Sequence, residues 1–256
     1  MSVFFFDMDG VLSVGKKHPR YLGGRSVVSR IKSSGKKAYV LTNDSTHTRK
    51  EIHQRLQNFG FSFSLEDVLT SGYLTALYLT QRFKRSVSFL LLGERGLLHE
   101  LLAAGHRESD QNPDVVVVGL DRQLNYAKLD HAQRVLRGGS SLVGSYGGAV
   151  YMGDQGPALS AGPIIKALEY GANKRAVMIG KPSPRMFQLA LQRAETRASR
   201  AVMIGDQIET DMLGAARTRV HTVLVLSGVE TRDSLQNSTL KPELVIENVD
   251  ELKQYL

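Results

Sequence analysis

The chain has 256 residues, of which 42% are hydrophobic and 23% are charged, and its formal net charge is +8. That length suffices for one large domain or for a core with a smaller insertion. Because the sequence contains no cysteine, it excludes disulfides, thiolate metal sites and cysteine nucleophiles. A net positive charge fits either a phosphorylated small molecule or nucleic acid as the partner, but the basic residues lie in short scattered clusters, which makes nucleic acid the minor hypothesis.

The apolar segments of the sequence are all short. No run approaches the roughly 18 apolar residues that a membrane span requires. The apolar start, Val3–Phe6, is interrupted at once by Asp7 and Asp9, which does not fit a signal peptide. The sequence therefore predicts no membrane association, and a cytoplasmic location is the default expectation.

The first predicted strand, Val3–Phe6, is apolar at every position, as expected for a strand covered on both faces. It runs directly into Asp7-Met8-Asp9-Gly10. Side chains two residues apart on an extended chain point the same way, so Asp7 and Asp9 are expected together at the end of the strand. Ligands bind at that end in open α/β sheets, although aspartates also form ordinary turns there.

A second predicted strand, Ala38–Leu41, ends in Thr42-Asn43-Asp44-Ser45. The pattern that follows predicts a helix over Thr46–Asn58 that stops at Gly60. The Thr42 hydroxyl, the Asn43 amide and the free N–H groups of that helix N-terminus favour an anion. The same residue types are also common helix caps, so this segment alone leaves both interpretations open.

The middle third of the chain has strands, helices and glycine-rich turns of its own. Its clearest predicted strands are Val87–Leu92 and Val115–Val118. Alternating strands and helices throughout the chain predict an α/β fold with a parallel, Rossmann-like sheet. We therefore predict a core formed by residues 1–77 and 174–256, with residues 78–173 inserted as a domain of their own.

The last third begins with the short apolar run Ala176–Gly180, which leads into Lys181. A helix is predicted to start at Ser183-Pro184, where a capping residue is followed by proline at the first helical position. This arrangement places Lys181 just before a helix N-terminus, although a surface lysine is the alternative interpretation.

Two further predicted strands, Ala201–Ile204 and Thr222–Leu226, follow in the last third. The first leads into Gly205-Asp206, and a second aspartate, Asp211, follows five residues after Asp206. Asp206 is the better candidate metal ligand because it lies nearest the strand. Asp211 is either a supporting residue of the site or simply a residue that starts a helix.

Together, the segments at Asp7–Gly10, Thr42–Asn43, Lys181 and Asp206 resemble the haloacid dehalogenase (HAD) superfamily over almost the whole chain. The late position of Lys181, after a large insertion, is similar to the class IIA branch of p-nitrophenylphosphatase-like and nucleotide-phosphatase-like enzymes. The resemblance implies the HAD fold with a C2-type cap. It also implies a small phosphorylated metabolite as substrate and leaves a homodimer open.

The resemblance implies a role for each segment. Asp7 would attack phosphorus to form an aspartyl-phosphate, and Asp9 would act as acid and then as base. Thr42, Asn43 and Lys181 would contact the phosphate. Mg²⁺ would be held by the Asp7 carboxylate, the Asp9 backbone carbonyl and Asp206.

Charge accounting favours a metal independently of the resemblance. Asp7, Asp9 and Asp206 facing a phosphate dianion would repel it, since one pair of like charges about 4 Å apart costs roughly 4 kcal/mol at an effective dielectric of about 20. Mg²⁺ together with Lys181 would bring the charges closer to balance, and this hard cation prefers oxygen ligands. Magnesium is therefore the predicted cofactor.

The cap region departs from the class IIA pattern. Relatives commonly carry a Thr-Asn-x-Asp-like stretch there, whereas this chain has Ser145-Tyr146-Gly147-Gly148. Tyr146, Tyr151 and Asp154 are candidate specificity residues, with packing or turn roles as the alternative. For the whole protein, the alternatives to a phosphatase are a phosphomutase and a non-catalytic protein that binds a phosphorylated ligand.

Overall fold

A computed structural model describes residues 1–15, 18–153 and 156–256. The strands are β1 Val3–Phe6, β2 Ser13–Val14, β3 Arg20–Tyr21, β4 Lys37–Thr42, β5 Val68–Thr70, β6 Ser88–Leu92, β7 Arg107–Glu108, β8 Val115–Val118, β9 Ser141–Gly144, β10 Val150–Gly153, β11 Gly156–Leu159, β12 Val177–Met178, β13 Ala201–Gly205, β14 His221–Val225 and β15 Leu244–Ile246. The α-helices are α1 Arg25–Ser33, α2 Arg49–Asn58, α3 Ser71–Phe83, α4 Arg95–Ala103, α5 Tyr126–Arg137, α6 Ala161–Ala172, α7 Pro184–Arg193, α8 Leu213–Thr218 and α9 Arg232–Asn237. Short 3₁₀ segments cover Leu65–Asp67, Ala198–Arg200 and Val249–Tyr255, and a π-helical turn covers Ile208–Met212.

The chain forms two compact units, and unit 1 comprises Met1–Thr42, Lys50–Leu69 and Lys181–Leu256. Its six-stranded sheet has the order β15-β14-β13-β1-β4-β5, and β1 pairs in parallel with both β13 and β4. Phe5 and Phe6 of β1 are fully buried, as expected for a strand with both faces covered. The predicted α/β fold with a parallel sheet is confirmed.

Unit 2 comprises Asn43–Arg49 and Thr70–Gly180. Its five-stranded sheet has the order β12-β9-β8-β6-β7, and all four pairings are parallel. The four valines of β8 are fully buried, and Val116 and Val118 belong to the core that residues of α5 and α6 also form. A separate antiparallel hairpin joins β10 and β11.

The boundaries of the two units differ from the predicted division of the chain. Residue 78 falls inside α3, and residue 173 is the C-cap of α6. Both positions belong to unit 2, as does the short segment Asn43–Arg49 between β4 and α2. The assignment of residues 78–173 as a cap stays a prediction.

Two predicted helices are found with the expected terminal signals. Ser183 caps α7 by accepting a hydrogen bond from the Arg185 N–H, and Pro184 is the first helical residue. Gly60 ends α2 in the left-handed conformation, with φ of 78°. The predicted start of α2 at Thr46 is wrong by three residues, because Asp44 accepts hydrogen bonds from Thr46 and holds that residue outside the helix.

None of the helices within the described ranges is both long and apolar enough to cross a membrane.

The fit of α2 against unit 1 gives a stability prediction. Leu56 is fully buried in the core that includes Phe6 and Ile31, whereas its neighbour Gln57 is exposed. Leu56→Ala should lower the free energy of unfolding by about 2–5 kcal/mol, because it leaves a cavity. Gln57→Ala, the matched control on the same helix, should change it by less than about 0.5 kcal/mol. Urea denaturation of both variants checks this, and equal effects would contradict the packing of α2.

Candidate active site

Asp7 lies at the carboxyl end of the central strand of unit 1. Its backbone N–H donates to the Ile204 carbonyl oxygen at 2.8 Å, which extends the pairing of β1 with β13 by one residue. Since β1 lies between β4 and β13, the strand ends that carry Thr42 and Asp206 flank the strand end that carries Asp7. The side chain of Asp7 is buried.

Lys181 is buried against two carboxylates. Its Nζ lies 2.8 Å from Asp7 Oδ1 and 2.6 Å from Asp211 Oδ1, and only 1% of the residue is exposed. Burial of an ammonium is costly unless it is paired, and here it is paired twice. The alternative interpretation of Lys181 as a surface residue is therefore wrong.

Three carboxylates meet beside this lysine. Asp7, Asp206 and Asp211 are all buried, and each offers an oxygen within 4.8 Å of the others. Asp206 Oδ2 accepts a hydrogen bond from the Val229 N–H at 2.9 Å. Asp206 Oδ1 is also buried, and within the described ranges it accepts no hydrogen bond. A buried oxygen of this kind is a suitable ligand for a hard cation.

The backbone around Asp206 packs closely enough to require glycine at two positions. A Cβ atom at Gly10 would lie 2.1 Å from Asp206 Oδ2, and one at Gly228 would lie 2.0 Å from the same oxygen. Gly10 also has a φ of 86°, a conformation that glycine adopts without strain. The Ser227 hydroxyl donates to the Gly10 carbonyl oxygen at 2.7 Å, so the loops after β1 and β14 close on one another.

The charges in this cluster are not balanced by Lys181 alone. Burial, reinforced by the carboxylates of Asp7 and Asp211, raises the pKa of Asp206 to about 8. Burial likewise raises the pKa of Asp211 to about 6, although the Lys181 ammonium opposes this. Burial alone would lower the pKa of Lys181, but the carboxylates of Asp211 and Asp7 raise it above its usual range. A divalent cation would supply the missing positive charge.

The remaining predicted site residues follow the same strand ends. Asp9 is half-buried in the turn after Asp7, where the Gly10 N–H donates to the Ser13 carbonyl oxygen at 2.7 Å. Thr42 is the buried last residue of β4, and Asn43 follows it in the chain as the first residue of unit 2. The chemical roles of these residues stay predictions.

The cap candidates that the structure describes belong to unit 2. Ser145 is fully buried, and its backbone carbonyl accepts the Gly180 N–H at 2.9 Å. Tyr146 and Tyr151 are half-buried, and Tyr151 lies on β10. Asp154 lies outside the described residues. The proposed specificity roles of the two tyrosines stay predictions.

Comparison with known proteins agrees with this geometry. The family model described as haloacid dehalogenase-like hydrolase matches residues 4–107, and a HAD-hydrolase-like model matches residues 178–252. Mouse chronophin is 30% identical over 98% of this chain and 91% of its own length. The 5'-nucleotidase YutF of Bacillus subtilis is 26% identical over 99% of this chain and 98% of its own length.

A solved structure is similar to the chain over its whole length. The p-nitrophenyl phosphatase from Archaeoglobus fulgidus superposes with a TM-score of 0.93 at 30% identity, covering 100% of this chain and 99% of that one. The chain belongs to the HAD superfamily. Within it, the chain is a class IIA phosphatase, that is, a phosphoric monoester hydrolase.

HAD phosphatases generally use a divalent metal ion. The residues of this chain fit one, because Asp7 and Asp206 offer buried carboxylate oxygens within 4.8 Å of one another, and Asp206 Oδ1 accepts no hydrogen bond within the described ranges. The raised pKa of Asp206 agrees with this, because burial, together with the carboxylates of Asp7 and Asp211, disfavours its charged form.

Sequence reasoning missed two contacts of this acidic cluster. The strand pattern does not show that Asp211 pairs with Lys181, because the contact depends on a π-helical turn over Ile208–Met212. It also does not show that Gly228 packs against Asp206. In the sequence, the glycine-containing stretch after β14 is the signal that could have indicated this close packing.

The pKa of Asp206 predicts how the stability of the metal-free protein depends on pH. A carboxyl group with a folded pKa of about 8 and an ordinary pKa of 3.8 stays protonated up to a higher pH in the folded state than in the unfolded state. It therefore stabilises the fold at low pH and loses that contribution as pH rises from about 4 to about 8. In the presence of a chelator, the free energy of unfolding of the wild type should fall by a few kcal/mol between pH 5 and pH 8.

Asp206→Asn should lose less stability over the same interval, because an amide does not ionise. Urea denaturation at pH 5, 6, 7 and 8 measures the slope. Asp233→Asn, at an exposed aspartate on α9, is the matched control and should keep the wild-type slope. Equal slopes for Asp206→Asn and the wild type would contradict the raised pKa.

Proposed function

We propose that the protein is a Mg²⁺-dependent phosphatase that hydrolyses small phosphomonoesters through an aspartyl-phosphate on Asp7. The observation that carries the proposal is the buried contact of Lys181 with Asp7, 2.8 Å long, beside the acidic cluster. Lys181 contacts Asp7 through Oδ1, and Oδ2 is the oxygen that we assign to the attack.

Each residue has a defined task in the proposed reaction. Asp7 attacks the phosphorus atom, and its new bond to phosphorus replaces the bond to the leaving oxygen. Asp9 donates a proton to that oxygen and then takes one from the water that hydrolyses the aspartyl-phosphate. Lys181 and the Thr42–Asn43 segment stabilise the negative charge of the phosphoryl group.

Magnesium would be held by Asp206, by the Asp7 carboxylate and by the backbone carbonyl of Asp9. When bound, the ion neutralises the carboxylates and polarises the phosphoryl oxygens. Asp211 contacts Lys181 directly, at 2.6 Å, and its task in this scheme is to hold the ammonium in place. Asp211 is thus a positioning residue for Lys181.

The relatives support small phosphomonoesters as the substrate class. One is named for 5'-nucleotides and another for p-nitrophenyl phosphate, so their names describe different leaving groups. The proposed site acts on the phosphoryl group that such substrates share. p-Nitrophenyl phosphate is therefore a suitable first substrate for this chain.

The nucleophile is tested by Asp7→Asn. With Mg²⁺ present, the wild type should hydrolyse p-nitrophenyl phosphate. The turnover rate of the variant should be lower by at least about 10⁴-fold, since an amide is a poor nucleophile. Acid-quenched wild type should carry one phosphoryl group by intact-protein mass spectrometry, and the variant none. Asp233→Asn should behave as the wild type. Robust turnover by Asp7→Asn would refute the assignment.

The lysine is tested by Lys181→Met, which removes the charge and keeps most of the length. Turnover should fall by about 10²-fold or more, because positive charge at the phosphoryl group is lost. The free energy of unfolding should fall by about 3–5 kcal/mol, since Asp7 and Asp211 lose their counter-ion.

A second variant separates these two effects. Lys181→Met/Asp211→Asn removes one of the unpaired carboxylates, so it should recover part of the stability and none of the turnover. Thermal unfolding and steady-state kinetics measure both quantities. Wild-type kinetics in Lys181→Met would exclude a catalytic role for the lysine.

A further inference from the structure

The segment Asn43–Arg49 connects β4 to α2, and it packs against two helices of unit 2. The Arg49 N–H, at the start of α2, donates to Glu100 Oε1 of α4 at 2.9 Å. The Arg49 guanidinium lies 3.9 Å from the ring centroid of Tyr73 on α3. Glu100 is buried, so these contacts fasten the end of the segment to the interior of unit 2.

The first residue of the segment is held by a buried serine. Ser71, at the start of α3, donates its hydroxyl hydrogen to the Asn43 carbonyl oxygen at 2.8 Å. The serine is fully buried, and its own carbonyl oxygen accepts the Thr75 hydroxyl at 2.7 Å. A hydroxyl shielded from water has few alternative acceptors, so it holds the main chain of Asn43 in one orientation.

The side chain of Asn43 is confined as well. A Cβ atom at Gly180 would lie 2.7 Å from Asn43 Oδ1 and 2.6 Å from the Ser145 carbonyl oxygen. The amide of Asn43 therefore packs directly against the backbone of Gly180. The N–H of Gly180 in turn donates to Ser145 at 2.9 Å, which restrains that backbone.

The next residue, Asp44, closes the rest of the segment on itself. Its Oδ1 accepts the Thr46 N–H at 2.7 Å, the Thr46 hydroxyl at 2.8 Å and the His47 N–H at 3.2 Å. Its Oδ2 lies 2.7 Å from His47 Nδ1, and the Asp44 side chain is only 4% exposed. The chain that follows Asn43 is thus rigid before any ligand binds.

We infer that Ser71 is a positioning residue for phosphate binding and acts through Asn43. The inference rests on the proposed function, in which Asn43 contacts the phosphoryl group. A backbone already held in one orientation loses little conformational entropy when the amide meets an anion. Loss of the Ser71 hydroxyl should therefore weaken phosphate binding without any change in the metal ligands.

The experiment compares Ser71→Ala with Thr75→Val. Both variants remove a buried hydroxyl from α3, but only Ser71 donates to Asn43, whereas Thr75 donates to the Ser71 carbonyl oxygen. For Ser71→Ala we expect the inhibition constant for inorganic phosphate to rise by about tenfold, the effect of one lost hydrogen bond. For Thr75→Val that constant should stay at the wild-type value. The half-saturating Mg²⁺ concentration should be unchanged in both.

A double-mutant cycle with Asn43→Ala tests whether Ser71 acts through Asn43. Asn43→Ala alone should raise the phosphate inhibition constant, and adding Ser71→Ala should raise it no further. Additive effects would overturn the inference, as would a normal constant in Ser71→Ala. If Ser71→Ala does not fold, Ser71→Cys keeps the volume with a weaker donor and should give an intermediate constant, and a wild-type constant there would also overturn the inference.

The outcomes separate this inference from the proposed function. If the wild type neither turns over p-nitrophenyl phosphate nor is inhibited by phosphate, both fail. If Asn43→Ala binds phosphate normally, the role of Asn43 fails and the inference fails with it. If Asn43→Ala weakens phosphate binding but Ser71→Ala does not, only the positioning role of Ser71 is lost.

Discussion

The ammonium of Lys181, buried between Asp7 and Asp211, is the interaction on which the rest of the site depends. Its three groups come from distant parts of the chain: the end of β1, the turn before α7 and the π-helical turn after β13. Because a buried charge without a partner is strongly destabilising, each of the three is needed where it stands. The same pairing that stabilises unit 1 therefore places a cation beside the predicted nucleophile.

The second constraint is the close approach of backbone to the Asp206 carboxylate. Gly10 and Gly228 leave room for one of its oxygens, which accepts the Val229 N–H, and the other oxygen is buried beside the acidic cluster. An excess of buried negative charge would ordinarily weaken a fold. Here burial, together with the carboxylates of Asp7 and Asp211, raises the pKa of Asp206, and a divalent cation would stabilise this arrangement.

The proposed binding of phosphate adds a second demand to positive charge, which is a rigid Asn43 segment. Asn43 is held through its carbonyl oxygen by Ser71, and the segment after it closes on the Asp44 carboxylate. Ser71 and the Asn43–Arg49 segment lie in unit 2, whereas the acidic cluster lies in unit 1. The residues proposed to bind the metal and the Asn43 segment proposed to bind phosphate are thus supported by separate sets of buried contacts.

The sequence by itself determined which motifs follow the predicted strands, their order along the chain and the identity of their charged groups. An uninterrupted apolar run such as Val3–Phe6 is typical of a parallel strand that is covered on both faces. The residues that follow such strands lie at the same edge of the sheet, where ligands bind. Asp7, Thr42 and Asp206 were predictable for that reason, as was the capped start of α7 after Lys181. The family resemblance carried by these same residues is confirmed.

Only the tertiary structure decided which side chains touch. The pairing of Asp211 with Lys181 requires a π-helical turn that no periodicity indicates. The link from Ser71 to Asn43 joins residues 28 positions apart. Contacts of this kind depend on the packing of whole elements against one another, and local sequence patterns describe only the elements themselves.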